Sequence, residues 1–222
     1  NLLAACSVSK HVPEGEYILD KVEVKSDQKE YDASPLVPYV RQKEKPKLFS
    51  LFKNPFTRKP VIFDTLQARL SCRDLLQAMQ NQGYMNSGVS LLTEKKKKKL
   101  KATYLLHPGQ PFTIGSVKYE VRDDSIQQLL HLDQPENQML KPGTRFTVEA
   151  LDAERKRIAG LLSNQGYFRF NKDFIQFAAD TISGSRDIAL TLQLMKYKAN
   201  SSAPEVNHPR YVIRKVNYLS ND

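Results

Sequence analysis

A repeated four-residue string, Asn-Gln-Gly-Tyr, constrains the fold of this chain more than any other feature of its sequence. It occurs at residues 81–84 and again at residues 164–167, each time after a run with regularly spaced apolar residues. Glycine adopts a left-handed backbone conformation without a steric penalty, so Gly83 and Gly166 are typical of the position that follows a helix. One copy predicts only a helix end. Two copies in the same setting predict a duplicated module.

The helices that precede the two strings are predicted from their apolar spacing. Apolar residues that recur three or four positions apart lie on one face of a helix. Thr147 is the predicted N-cap of the second helix, and Arg155 occupies the position that aligns with Cys72 of the first. The predicted stripes are Ala68, Cys72, Leu75 and Met79 in the first copy and Leu151, Ile158 and Leu162 in the second.

A strand pattern recurs three times, with an aromatic residue first, Ile or Leu two positions later and Val three positions after that. It covers residues 17–24, 112–119 and 211–218. Shorter helices are predicted near Leu36–Val40 and Ser125–Leu130. Alternating apolar residues predict a hairpin after each long helix, with strands at 86–93 and about 100–106 in the first copy, and at 168–177 and 188–194 in the second. The apolar phase shifts within 168–177, which predicts a bulge or break near residues 171–173.

The predicted order is therefore strand, helix, helix, strand, strand, twice, followed by a lone first strand. This is an α+β fold of tandem β-α-α-β-β modules, each a three-stranded mixed sheet with two helices on one face. The predicted domains are a leader and linker at 1–16, a first module at 17–107 with an insertion at 41–62, a second module at 108–197, and a linker with the first strand of a third module at 198–222.

The net charge of +10 falls mainly on the first module, because residues 1–107 carry +8 of it. Such an excess favours an anionic neighbour, either a lipid surface or an acidic partner, and on charge alone nucleic acid fits as well. The four histidines are scattered and show no metal-ligand spacing, and no phosphate-binding or nucleophile motif occurs. Asp123 and Asp124 favour a turn. The sequence predicts no catalytic residue, no metal site and no cofactor.

The first residues, Asn-Leu-Leu-Ala-Ala-Cys-Ser, resemble a bacterial lipobox. In a lipobox, an apolar segment that ends in small residues precedes a cysteine that receives lipid. Cys6 is therefore the predicted lipidation site. The alternative is an apolar N-terminus with a cysteine by chance. A lipid on Cys6 anchors a chain to a membrane and excludes a disulfide with Cys72.

The element order, together with the residues around the second repeated string, resembles the POTRA domain of the BamA/TamA family of outer-membrane assembly factors. The strings at 151–158, 164–170 and 174–181 are similar to lipidated TamA-like proteins of the Bacteroidetes, and the resemblance covers about residues 17–219. It implies a non-enzymatic protein on the periplasmic side of the bacterial outer membrane. The expected partners are unfolded outer-membrane β-barrel proteins, other assembly subunits, among them a TamB-like inner-membrane bridging protein, and the membrane, through the lipid anchor and a C-terminal barrel.

The resemblance also implies that the second strand of each module lies at a sheet edge. Such an edge accepts an extended segment through main-chain hydrogen bonds that ignore side-chain identity. One parity of these strands is expected to face the module's own helices. The candidate contacts with a client or partner are Val89, Leu91, Phe168, Phe170, Phe174 and Phe177.

A run of lysines separates the strands of the first hairpin. A solvated turn is one reading, and contact with anionic lipid headgroups is the other. The residues concerned are Lys95, Lys96, Lys97, Lys98 and Lys99.

Two rival functions remain at this level. One is a structural spacer that docks a membrane-bridging partner without contacting clients. The other is a basic nucleic-acid-binding module, for which the aromatic and basic residues of 45–59 give a weak signal. The POTRA resemblance predicts no nucleic-acid partner.

Overall fold

The structure of this chain is a computed structural model that describes residues 12–44, 60–133 and 135–216. The chain divides into two compact units, Asn1–Gln110 and Pro111–Asp222. Each unit contains one three-stranded mixed sheet with helices packed on one face, as predicted. The extents of the predicted leader, insertion and third module stay predictions.

The elements of the first unit are strand β1, helix α1 and the hairpin strands β2 and β3. A 3₁₀ turn, Ser34–Tyr39, precedes α1. Strand β3 is central and pairs parallel with β1 and antiparallel with β2, so β2 forms one edge of the sheet. The bounds are Ile18–Ser26 for β1, Thr65–Asn81 for α1, Gly88–Lys96 for β2 and Lys99–His107 for β3.

The second unit repeats this topology. Strand β6 is central and pairs parallel with β4 and antiparallel with β5, so β5 forms an edge. The prediction that the second strand of each module lies at an edge is confirmed. The bounds are Thr113–Glu120 for β4, Asp124–Leu132 for α2, Val148–Asn164 for α3, Ile175–Thr181 for β5 and Asp187–Leu194 for β6.

Local capping fixes both ends of α1. The Asp64 carboxylate accepts hydrogen bonds from the Leu66 and Gln67 N–H groups, which satisfies donors that the first helical turn leaves free. At the other end Gly83 has φ +92°, and the Tyr84 N–H donates to the Met79 carbonyl oxygen at 3.1 Å. The predicted helix stop is confirmed.

Helix α3 begins and ends by the same devices. The Thr147 side chain accepts a hydrogen bond from the Ala150 N–H, which confirms the predicted N-cap. Gly166 has φ +95°, and the Tyr167 N–H donates to the Leu162 carbonyl oxygen at 3.0 Å. The duplicated string therefore has one structural role in both units.

The apolar stripes form the contact of each long helix with its sheet. In the first unit Ala68, Leu75 and Met79 are fully buried, whereas Cys72 is partly buried. In the second unit Ile158 and Leu162 are fully buried. The inner faces of β3 and β6 supply the opposing layer, with Leu100, Tyr104, Leu106, Ile188, Leu190 and Leu192 buried.

The short helix predicted near Leu36–Val40 is a 3₁₀ turn instead. Two prolines stand in Ser34–Tyr39, and Pro38 lies inside the turn. Proline has no N–H to donate to the preceding turn, so an α-helix does not propagate through it. Residues 45–59 of the predicted insertion lie outside the described residues.

The predicted strand over 168–177 is wrong for residues 168–174. The Phe170 N–H donates to the Tyr167 carbonyl oxygen at 2.9 Å, which closes a turn after α3. A 3₁₀ turn, Lys172–Phe174, follows, with the Asn171 side chain accepting from the Asp173 N–H. Because these local bonds occupy the backbone, the strand begins only at Ile175.

The predicted first strand of a third module, 211–218, is not a strand over residues 211–216. The Tyr211 N–H donates to the Gly166 carbonyl oxygen at 2.8 Å, so this backbone donor is used at the end of α3 rather than in a sheet ladder. Residues 217–222 lie outside the described part. Within the described residues no helix is both long and apolar enough to cross a bilayer.

Candidate functional site

Strand β5 presents main-chain groups along its outer side that have no partner among the described residues. Where the β5–β6 ladder ends, the Phe174 carbonyl accepts from the Met195 N–H at 2.8 Å and the Ile182 N–H donates to the Asp187 carbonyl at 3.0 Å. Antiparallel ladders alternate, so even-numbered residues of β5 face β6. The odd-numbered residues, Ile175, Phe177, Ala179 and Thr181, therefore point their N–H and C=O groups away from the sheet.

The side chains of β5 do little to protect this edge. Residues 178–181 are exposed, two of them are alanines, and Asp180 is the only charged residue of the strand. Natural proteins commonly guard an exposed edge with charged residues, proline or a bulge. Strand β5 is therefore an open edge, meaning an edge strand with little to prevent another strand from pairing with it.

The edge strand of the first unit is better guarded. Its last three residues, Glu94, Lys95 and Lys96, are charged and exposed. Charges at these positions disfavour the close approach of a strand from another chain. The two units thus share a topology but offer different edges.

The two predicted contact residues on β2 face the helix side of their own sheet. Val89 pairs with Leu106 and Leu91 pairs with Tyr104, and both partners are buried. Val89 and Leu91 are partly buried against the same core. Their outer neighbour Leu92 is half exposed, at 50%, and the sequence reasoning did not single it out.

The structure brings only one of the four predicted phenylalanines onto an edge strand. Phe177 lies on β5, pairs with Leu192 and is partly buried. Phe168 is 61% exposed and its ring lies 6.3 Å from that of Tyr211. Phe170 is a buried core residue, and Phe174 lies 5.7 Å from it, measured between ring centroids.

Phe170 and Phe174 belong to an aromatic cluster that closes one end of the second unit. The His208 ring lies 4.7 Å from the Phe170 ring and 4.6 Å from the Phe174 ring, both in edge-on geometry. Its Nε2 atom lies 2.9 Å from the Met195 carbonyl oxygen. These contacts hold the segment after β6 on the module, so both phenylalanines have a structural use.

Arg155 is a residue at the β5 edge that the site prediction missed. Its guanidinium carbon lies 5.3 Å from the centroid of the Phe177 ring. Its Nε atom is buried and has no hydrogen-bond acceptor among the described residues. The alignment of the two helices gave a signal, because Arg155 stands where the first copy has Cys72.

The carboxylates near Arg155 on α3 are already engaged. Asp152 pairs with Lys156 at 2.8 Å and with Lys172 at 2.7 Å, and these lysines lower the pKa of Asp152 to about 2. Glu154 is fully buried and pairs with Arg157 at 2.7 Å. Arg155 is thus left without an anionic partner on its own helix.

The buried Glu154 organises the connection between α2 and α3. It accepts hydrogen bonds from the Met139 N–H at 2.8 Å and the Tyr119 hydroxyl at 3.2 Å, in addition to Arg157. Arg157 also pairs with Asp133. Burial, followed by the charge of Glu154, raises the pKa of Tyr119 well above its usual range. Because every member has a partner, this network fixes the loop and is a structural feature.

The predicted lysine run is split by the structure into paired and unpaired residues. Lys95 lies 4.5 Å from the centroid of the Tyr17 ring, Lys98 donates to the Pro13 carbonyl at 3.2 Å, and Lys99 pairs with Asp20 at 2.7 Å. Lys96 and Lys97 have no such contact among the described residues. Lys97 has φ +57° and lies in the two-residue turn between β2 and β3.

The structure describes one of the two cysteines, Cys72. Cys6 lies outside the described residues, so its lipidation stays a prediction. Cys72 is a free, partly buried thiol, and burial raises its pKa. A raised pKa makes the thiolate scarcer at neutral pH, which agrees with the interpretation of Cys72 as a small packing residue.

Comparisons with known proteins show only limited similarity between this chain and any of them. No protein-family profile matches the chain, and no curated protein matches it. Among solved structures, the Haemophilus influenzae BamA POTRA3-5 structure is similar at 12% identity, with 90% of this chain and 83% of that chain covered and a TM-score of 0.42.

Two further structures show a likeness of the same size. BamA from Haemophilus ducreyi lacking POTRA domains 1-3 has 11% identity, 80% and 29% coverage, and a TM-score of 0.43. POTRA1-2 of Omp85 from Anabaena has 14% identity, 82% and 96% coverage, and a TM-score of 0.37. The chain thus spans less than a third of the Haemophilus ducreyi chain. All three TM-scores are below 0.5, so the functional proposal draws on the residues of this chain.

Proposed function

We propose that this chain is the periplasmic POTRA region of an outer-membrane β-barrel assembly or translocation factor, and that it binds extended protein segments by adding them to strand β5. The observation that carries the proposal is the open edge of β5. Its outward N–H and C=O groups lie on a strand with one charged side chain and two alanines. The β-α-α-β-β order and the repeated Gly-Tyr helix ends support the family resemblance.

Main-chain pairing suits a factor that handles many different clients. Each bond to an added strand uses a backbone group that every non-proline residue carries, so affinity does not require one client sequence. The proposed ligands are unfolded outer-membrane β-barrel proteins, and assembly subunits, among them a TamB-like bridging protein, are proposed partners at the same type of edge. We place no nucleic acid among the partners.

The proposed membrane relation is an anchor on the periplasmic side of the outer membrane. Lipidation of Cys6 would tether the chain, and Lys96 and Lys97 at the hairpin tip are the lysines of the 95–99 run that have no contact among the described residues and could meet anionic headgroups. The +8 charge of residues 1–107 supports this orientation of the first unit toward an anionic surface.

The test is to remove one outward donor of β5. Proline is tolerated on an edge strand where its missing N–H faces away from the sheet, so Ala179→Pro should fold. It should weaken binding of a synthetic alternating strand peptide about tenfold, because one bond of about 1 kcal/mol is lost and the ring obstructs the neighbouring strand. Ala179→Val keeps the N–H and should bind as the wild type does. Fluorescence anisotropy of a labelled peptide with the full chain measures both.

A photocrosslinker at the exposed Ala178 separates this function from a spacer role. Under the proposal, crosslinks form to unfolded barrel peptides and are lost in the Ala179→Pro background. If Ala179→Pro binds the peptide as well as the wild type, pairing at β5 is wrong. If neither protein captures peptides, the spacer function is favoured.

A further inference from the structure

The cation at the β5 edge, Arg155, has no ion-pair partner in the part of the chain that the structure describes. Arg155 is partly buried, and its Nε atom has no acceptor among the described residues. A partly desolvated guanidinium without a carboxylate is costly, and the face of the Phe177 ring compensates for only part of that cost. The site therefore keeps a buried N–H donor that no described residue satisfies.

The position of Arg155 relates directly to the open edge. Phe177, whose ring it covers, is one of the residues that point their main chain outward from β5. A strand added there would lie about 4.8 Å away, with directly opposed Cβ atoms about 5 Å apart. A side chain on the helix-facing side of that strand, opposite Phe177, comes within reach of the guanidinium.

The surroundings leave room for such a side chain. Ala179, the next helix-facing residue of β5, is small and exposed. Asp180 pairs with Ala189, which alternates with the buried residues of β6, so Asp180 belongs to the opposite face of the sheet and does not compete for Arg155.

The corresponding place in the first unit has no cation. Cys72 aligns with Arg155, and Leu91, which pairs with the central-strand residue Tyr104, corresponds to Phe177, which pairs with Leu192. Within the described residues, a cation at this place is therefore found in the second unit and not in the first.

We infer that Arg155 is a specificity-determining residue of the β5 edge and that it selects extended segments with an Asp or Glu side chain on the helix-facing side, opposite Phe177. A guanidinium offers two parallel N–H donors to a carboxylate, a geometry that Lys does not reproduce. Main-chain pairing supplies general affinity, and Arg155 adds a preference among segments. The inference rests on the proposed function.

The test compares three synthetic peptides about as long as β5. Each peptide alternates Val or Thr with a second residue type, which is Glu in the first peptide, Gln in the second and Lys in the third. Full-length wild-type protein should bind the Glu peptide about tenfold more tightly than the Gln peptide at low salt, and the Lys peptide least. The gap should narrow at higher salt, since the site is only partly buried.

Variants assign this preference to one side chain. Arg155→Gln should bind the Glu and Gln peptides equally, and Arg155→Lys should restore only part of the gap. Lys156→Gln removes the same charge from the adjacent, exposed position of α3 and should keep the full preference. Circular dichroism confirms that each variant is folded.

The outcomes separate this inference from the function on which it rests. If the wild type binds the Glu and Gln peptides equally, or if Arg155→Gln retains the preference, selection by Arg155 is wrong and edge pairing still stands. If no peptide binds the wild type, or if Ala179→Pro leaves binding unchanged, edge pairing fails and the inference fails with it.

Discussion

Gly166 is the position where one added methyl group should cost the second unit most. It has φ +95°, and a Cβ built there would lie 2.5 Å from the Tyr211 carbonyl oxygen, a distance that backbone atoms do not tolerate. The same glycine accepts a hydrogen bond from the Tyr211 N–H at 2.8 Å, and the neighbouring Gln165 carbonyl accepts one from the Arg210 side chain at 2.8 Å. The segment around Tyr211 thus supplies donors to carbonyl groups that the end of α3 leaves free.

The cost of Gly166→Ala has two parts. A left-handed backbone at a residue with a Cβ costs about 1 kcal/mol. Displacing the Tyr211 segment loses at least one hydrogen bond of about 1 kcal/mol and the packing beside it. We expect a loss of about 2–3 kcal/mol in the free energy of unfolding of the second unit. Gly184→Ala is the matched control, because Gly184 has φ +76° but no atom within 4 Å of a built Cβ, and it should cost about 1 kcal/mol.

Amide hydrogen exchange on the full chain is the suitable assay, since two units need not unfold in a single transition. In Gly166→Ala the Tyr211 amide should lose about 30-fold or more of its protection, the equivalent of about 2 kcal/mol. Gly184→Ala should change protection at Tyr211 by no more than about fivefold. Equal exchange at Tyr211 in the two variants would refute the claim that this segment is held by its contact with Gly166.

Two other predictions concern charge. The lysines beside Asp152 hold its pKa at about 2, below the unfolded value of about 4, so its contribution to stability is present above pH 4 and is lost as the pH falls toward 2. Asp152→Asn should therefore flatten the acid side of a plot of thermal midpoint against pH, and an unchanged slope would contradict this. At the hairpin tip, Lys96→Gln and Lys97→Gln should each reduce partitioning onto anionic lipid vesicles about fivefold, the equivalent of about 1 kcal/mol per lysine. Lys99→Gln should reduce it less, because the Lys99 ammonium pairs with Asp20, and an equal loss in all three variants would contradict contact through Lys96 and Lys97.

The elements that the sequence predicted well are those fixed by local chemistry. Gly83 and Gly166 end their helices because the left-handed conformation is a property of the residue itself, and the Thr147 cap uses an N–H three residues away. The periodic apolar residues of α1 and α3 also defined the buried faces. Helix ends and helix faces were therefore accessible from the sequence alone.

The errors arose where hydrogen bonds and ion pairs that the apolar pattern does not reveal decided the outcome. Phe168 and Phe170 alternate as strand residues do. The Phe170 N–H, however, donates to the Tyr167 carbonyl and the Asp173 N–H donates to the Asn171 side-chain oxygen, and these bonds delay β5 until Ile175. The sequence placed Arg155 on a helix, at the position that aligns with Cys72. It could not show that Asp152 is taken by Lys172, a contact between residues 20 positions apart.

The contrast between the two edges favours β5 as the acceptor strand for a physical reason. An unguarded edge exposes a folded protein to uncontrolled pairing with other chains, which natural sheets avoid. Strand β2 has the usual protection, because it ends in Glu94, Lys95 and Lys96. Strand β5 lacks this protection, and Arg155 beside it has no ion-pair partner among the described residues. An edge of this kind is expected where pairing is the function, and an adjacent charge that favours some segments over others limits which chains can pair there.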